Sequence, residues 1–220
     1  MKNPWFDISE FEPYLLPQDK EIILSRNEKL KEIHQIKHNI FPEPYIGNPD
    51  APIILLVLNP GYNDEDIFFY KQKQVPELWR NNIFHKPMDY PFWMIDPSLN
   101  PNIGGTKWWL KKLKEPINLV GLEKVANRIC CIEYFPYHSR RYASFNPVLE
   151  SQKYGFHLVE KAMQKNATIV LMRSKLLWFE SIPKLKDYKF LFRLNSVQNV
   201  TLSRKNCPQG FPLIEKILTQ

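Results

Sequence analysis

Asn59-Pro60-Gly61-Tyr62 follows the most apolar run of the chain, Ile53 to Leu58. An asparagine amide in that position can orient a water molecule without adding charge, or it can close an Asx turn on its own backbone. Gly61 allows a backbone angle or a close approach that a β-carbon forbids. Tyr62 offers a ring for stacking on a flat ligand or for packing in the core. Asp64-Glu65-Asp66 comes next. Asp64 is its candidate general base, and the ordinary use of such a run is to favour a helix N-terminus.

A second concentration of chemistry spans Glu133 to Arg141. Here Phe135 and Tyr137 are candidate walls of a flat pocket. His138 can donate to a base carbonyl or a developing anion, and Arg140 and Arg141 can hold phosphates. Arg173 and Lys175 flank the expected start of a helix, which is an anion site in waiting. Asn195 and Ser196, extended by Ser203 and Arg204, supply the neutral and cationic groups that read base edges and phosphate oxygens. Each of these groups also has an ordinary structural use, as loop charge, turn or core. His85, His138 and His157 have no helical metal-ligand spacing, so neither a metal nor a cofactor is expected.

These residues sit at the ends of predicted elements. Ile53 to Leu58 is short, aliphatic and bounded by Pro52 and Pro60, which marks a strand buried on both faces. Further strands are predicted around Ile129–Ile132, over Thr168–Met172 and over Lys189–Leu194. Helices are predicted over 107–114, where Thr106 can cap, and over 151–166, 176–182 and 211–218. Residues 17–40 read as a surface-packed helical pair, 41–49 as a proline-rich connection and 62–106 as loop-rich. The alternation predicts an α/β fold around a central, mostly parallel four-stranded sheet. The whole of 1–220 reads as one domain, with 1–50 a helical N-terminal extension packed on it. In such sheets ligands bind beyond the carboxyl ends of the strands. Four polar segments fall there: Asn59–Tyr62, Phe135–Arg141, Arg173–Lys175 and Asn195–Asn206.

Bulk composition narrows the classes. Hydrophobic residues make up 44% and charged residues 24%, the balance of a folded chain rather than a disordered one. The net charge of +7 favours a polyanionic partner, because each cation placed on a phosphate releases a counterion. Three cysteines, an odd number with no C-x-x-C pair, argue against a disulfide framework or a zinc knuckle and fit a reducing cytoplasm. No apolar run reaches the eighteen residues of a membrane span, and the N-terminus lacks a leader's apolar stretch. A monomer is expected.

A buried first strand ending in Leu58-Asn59-Pro60-Gly61, with a polar, serine-bearing loop after the last strand, resembles the uracil-DNA glycosylase superfamily. The nearest look is to its mismatch-specific uracil/thymine branch. That branch carries Asn-Pro-Gly after its first strand and Asn-Pro-Ser-Gly-Leu-Ser after its last. Here the second motif stands as Asn195-Ser196, without the middle proline, with Leu202-Ser203-Arg204 further on. The resemblance covers roughly residues 51–206. It implies a three-layer α/β/α fold and hydrolysis of the N-glycosidic bond of a base flipped out of DNA. Asn59 would hold the attacking water, a nearby aromatic would stack on the base, and the last loop would press into the minor groove. Two other classes stay open: a non-catalytic nucleic-acid-binding module that kept the fold, and an enzyme acting on free nucleotides with Arg140 and Arg173 as clamps.

Overall fold

The computed structural model describes residues 1–220. In chain order the elements are α1 Pro17–Asn27, β1 Tyr45–Ile46, β2 Ile53–Leu56, α2 Asp66–Tyr70, α3 Val75–Ile83, α4 Gly104–Lys112, α5 Lys114–Val120, α6 Leu122–Arg128, β3 Ile129–Ile132, α7 Glu150–Gln164, β4 Thr168–Leu171, α8 Lys175–Ser181, β5 Leu191–Arg193 and α9 Phe211–Thr219. Short 3₁₀ turns cover Pro4–Asp7, Glu32–His34, Trp93–Ile95 and Pro183–Asp187. No helix is long and apolar enough to cross a membrane.

The sheet has five strands in the order β1-β3-β2-β4-β5. β3, β2, β4 and β5 run parallel, and β1 pairs antiparallel with β3. β2 lies between β3 and β4, which is why Ile53, Ile54, Leu55 and Leu56 are all buried instead of alternating. Leu56 stands level with Ile132 on one side and Leu171 on the other. Three strands therefore end in register, and their loops leave from one edge. β3 and β4 flank β2 on opposite sides, so successive connections run in opposite directions and open a crevice at that edge.

Where β2 ends, the ladder fans apart. The Val57 N–H still donates to the Ile132 carbonyl at 3.2 Å, while both Met172 and Arg173 donate to Leu56. On the far side Trp178 Nε1 donates to the Val57 carbonyl at 2.9 Å. At the start of β3, Gly47, which directly follows β1, has φ +104°, and a β-carbon there would lie 2.8 Å from the Ile129 carbonyl oxygen. Glycine is what lets β1 approach the sheet this closely.

The observed elements differ from the expectation in several places. The sheet has a fifth strand, β1, inside the proline-rich stretch. Prolines on either side keep it to two residues, too short to show a pattern. Residues 17–40 hold one α-helix and a 3₁₀ turn, not a helical pair. Residues 1–50 also supply core side chains, among them Trp5, Leu16, Ile23 and Tyr45, so they are built into the same core as the sheet. Residues 62–106 contain α2 and α3. Pro76 stands in the first turn of α3, where a missing N–H costs nothing and the fixed φ suits the helix. Finally, Thr106 does not cap α4. It is buried within it, and α4 begins at Gly104.

Candidate active site

A cavity of about 490 Å³ opens at the carboxyl edge of β2, β3 and β4. Its walls come from the segment after β2, the segment after β3, the first residue-pair beyond β4, helices α2 and α4, and the stretch before β1. Of the residues expected from sequence, Asn59, Gly61, Tyr62 and His138 line it, with Arg140, Arg141 and Arg173.

Asn59 is held by its amide nitrogen. Nδ2 donates to the Pro60 carbonyl at 3.0 Å and to Ser139 Oγ at 3.1 Å. A carbonyl only accepts, so the amide orientation is fixed by chemistry. Oδ1 takes no hydrogen bond from the protein and is left as an acceptor at the cavity wall.

His138 is 3% exposed. Its Nδ1 lies 2.7 Å from the Gly61 carbonyl and its Nε2 3.1 Å from the Tyr70 hydroxyl. The carbonyl requires Nδ1 to carry the proton, which leaves Nε2 to accept from Tyr70. Burial pushes the imidazole down to about 4, outweighing the neighbouring backbone carbonyls, so the ring is neutral at physiological pH. With both nitrogens engaged inside the protein, His138 pins the Gly61 turn. It does not present a free donor to a ligand.

Two buried carboxyl groups face the same space. Glu43 is 5% exposed and shares a hydrogen bond with the Tyr70 hydroxyl. Burial raises it to about 8, with Asp66 adding and the Tyr70 bond opposing. Glu133 is 6% exposed, and its Oε2 is buried with no partner. Burial, then the Glu43 charge, raises Glu133 well above the usual carboxylate range, and Arg173 opposes them. Burial thus favours the protonated form of both, and Glu43, at about 8, is mostly neutral at pH 7. Arg173 Nε is likewise buried without a partner. Buried polar atoms are nearly always paired, and these two orphans lie beyond β3 and β4, on either side of β2, at the cavity.

Aromatic rings close the sides. Tyr62 has Arg140 and Lys37 each 5.4 Å from its ring centroid, so cations already occupy positions over the ring. Trp108 of α4 is 36% exposed and lines the cavity, packed edge-on against buried Trp109. Lys112 Nζ also lies 5.4 Å from the Trp108 centroid, so one cation stands over Trp108 where two stand over Tyr62.

The remaining expected residues lie elsewhere. Asp64 is exposed and paired with Arg140, outside the cavity, and has no buried environment to make it a base. Phe135 and Tyr137 are buried in the core and do not wall the pocket. Phe135 stacks on Phe145 with centroids 5.0 Å apart, and the Tyr137 hydroxyl donates to Asp19 at 2.8 Å. The chain after β3 sends Glu133, His138 and Ser139 to the cavity and the intervening aromatics to the core. Asn195, Ser196, Ser203 and Arg204 form a loop that closes on itself and on α9. Asn195 N–H donates to the Asn206 carbonyl at 2.7 Å, Ser196 N–H to Asn206 Oδ1 at 2.8 Å, and Arg204 pairs with Glu215 at 2.7 Å. Ser203 Oγ accepts from the Asn206 N–H at 3.2 Å. Lys175 begins α8 beside the Phe179 ring, off the cavity.

Glu43 and Tyr70 are cavity residues that the sequence does not single out, while Glu133, Asp66 and Trp108 stand in runs it marks without naming them as site residues. Two had a usable signal: Glu133 is a carboxylate directly after a buried strand, and Glu43 is one between two prolines in an apolar stretch. Three or more His, Cys, Asp or Glu side chains do not gather anywhere in an arrangement that could hold a metal ion. No protein-family model, curated protein or solved structure matches the chain.

Proposed function

We propose that this protein hydrolyses the N-glycosidic bond of a nucleobase presented by DNA, on a three-layer α/β/α fold of the uracil-DNA glycosylase kind. The observation that carries this reading is Asn59: its nitrogen is anchored and its Oδ1 is open at a cavity beyond the sheet's carboxyl edge. An anchored acceptor of this kind fixes one water for attack on a sugar carbon. The lining suits an uncharged, flat, hydrogen-bonding group. Glu133, whose protonated form burial favours, has a carboxyl oxygen without a partner that can bond a base edge. Trp108 supplies a stacking face. Arg140, Arg141 and Arg173 bring positive charge to the same cavity for phosphate. A base inside a duplex cannot reach such a cavity, so the nucleotide must be extruded.

The test is incubation with labelled oligonucleotides containing uracil, hypoxanthine or mismatched bases, followed by alkali. Strand cleavage at the modified position is expected. Its absence across the panel overturns the reading. A second reading, hydrolysis of free nucleosides or nucleotides, is favoured by one observation: the loop at 195–206, which would have to grip a DNA strand, is occupied with its own chain. Release of free base from nucleotides, but not from oligonucleotides, would decide for it.

A further inference from the structure

The cavity contains a hydrogen-bonded chain that the water-holding role of Asn59 does not use. The Tyr70 hydroxyl stands between Glu43 Oε1 and His138 Nε2, the latter at 3.1 Å, and His138 Nδ1 continues the chain to the Gly61 carbonyl at 2.7 Å. Glu43, Tyr70 and His138 are each less than a tenth exposed, and all three line the cavity.

Proton counting fixes the resting arrangement. His138 Nδ1–H is committed to Gly61, so Nε2 needs a donor. Tyr70 has one hydrogen. If Glu43 were ionised, Tyr70 would have two acceptors and could serve only one. With Glu43 protonated every group is satisfied: Glu43 donates to Tyr70, Tyr70 to His138, and His138 to Gly61. The chain therefore stores one proton, on a carboxyl group at the cavity wall. When that proton leaves, the Tyr70 hydroxyl can turn from His138 to the new carboxylate and stabilise it.

We propose that Glu43 is the general acid of this site, with Tyr70 and His138 as its positioning residues, and that the base released is one with a protonatable ring nitrogen, as in a purine. The inference rests on the hydrolase reading above. Glu43 gives its proton to the departing base as the C–N bond breaks. The water at Asn59 Oδ1 forms the new C–O bond, and its proton returns to the Glu43 carboxylate. The base leaves neutral, the sugar carries a hydroxyl, and the enzyme is restored. Protonation helps most where the ring carries a basic nitrogen. A uracil can depart as a stabilised anion and gains less from an acid.

The groups facing Glu43 set its behaviour. Tyr70 and Asp66 come from α2, His138 and Glu133 from the segment after β3, and Arg173 lies beyond Glu133. The Tyr70 hydrogen bond favours the carboxylate, so removing it should move the ionisation of Glu43 upward.

Glu43→Gln and Tyr70→Phe, made in the full chain, test this with two measurements. The first is the pH profile of base release from oligonucleotides containing hypoxanthine or uracil. Wild type should lose activity on hypoxanthine above about pH 8, where Glu43 ionises. Glu43→Gln should lose about 100-fold on hypoxanthine, less on uracil, and lack the alkaline limb. Tyr70→Phe should shift that limb to higher pH, which a purely structural lesion would not do. The second is infrared spectroscopy at neutral pH, where a carboxylic-acid band should be present in wild type and diminished in Glu43→Gln. A wild-type enzyme that releases hypoxanthine, with Glu43→Gln equally active across pH, overturns the acid role alone. No release of any base by wild type overturns the hydrolase reading and the acid role with it. No change in the neutral-pH band in Glu43→Gln overturns the stored proton.

Discussion

The segments after β2 and β3 and the loop after β5 leave the same edge of one sheet, and both are rich in asparagine, serine and arginine. They end in opposite states. Beyond β2 and β3, Asn59 keeps an open Oδ1, Glu133 a buried oxygen without a partner, and Arg173 across the crevice a buried Nε without one. Beyond β5, Asn195, Ser196, Asn199 and Asn206 bond one another, and Arg204 bonds Glu215. Polar composition at a strand end therefore does not distinguish a site from a well-made turn. Orphaned, desolvated polar atoms that line a cavity do: of the seven buried atoms without a partner, Glu133 Oε2 and Arg173 Nε are the two whose residues line it, where a bound group can complete them.

The contrast is sharpest at Asn59. Asn59→Ala should lower base release about 100-fold or more with an unchanged melting temperature, since its amide bonds only a proline carbonyl and one hydroxyl at the surface of the cavity. A loss under tenfold in the oligonucleotide assay would remove it from the water-holding role.

The pH dependence of stability separates the two regions next. Glu43 rises from 4.5 to about 8 on folding, so its contribution is fully present below pH 4.5 and is lost as pH rises through about 8. His138 falls from 6.5 to about 4, so its contribution is present above 6.5 and is lost as pH falls through 4. The two oppose each other below pH 6.5. Between 6.5 and 8 the Glu43 slope stands clear of His138, and it should cost about 2 kcal/mol of wild-type stability. Glu133 acts with the same sign, so Glu43→Gln should flatten the slope without abolishing it. Denaturant titrations at pH 6.5 and 8 measure this, and equal slopes in the two proteins would contradict a neutral buried Glu43.

Stacking is the smaller effect on the open side. Trp108→Ala should raise KM roughly tenfold with little change in kcat, as expected for the loss of one base–ring contact. The closed loop should respond least. Asn195→Ala should leave base release within about twofold of wild type, and Arg204→Ala, an exposed pair, should cost under about 1 kcal/mol in a thermal melt. If Asn195→Ala instead matched Asn59→Ala, the loop would have to open and join the cavity during turnover.

Local pattern was enough to read most of the framework. β2 declared itself through six consecutive aliphatic residues, Ile53 to Leu58, between prolines, β4 through Thr168 to Met172, and α7 through Tyr154, Leu158 and Ala162 on its buried face. Those signals depend on neighbours in the chain. α2 and α3 were hidden because prolines read as breakers, although Pro76 starts a helix. β1 was hidden because two residues carry no period.

The sequence by itself determined that Asn59-Pro60-Gly61-Tyr62 ends a doubly buried strand and faces the ligand edge of an α/β sheet, because hydrophobic runs and turn residues act locally. Only the tertiary structure decided which polar side chains share that edge. Glu43, Tyr70, Glu133 and His138 come from three separate stretches of chain, and whether an acid is buried, a hydroxyl is shared or an oxygen is left without a partner depends on what long-range packing brings against it.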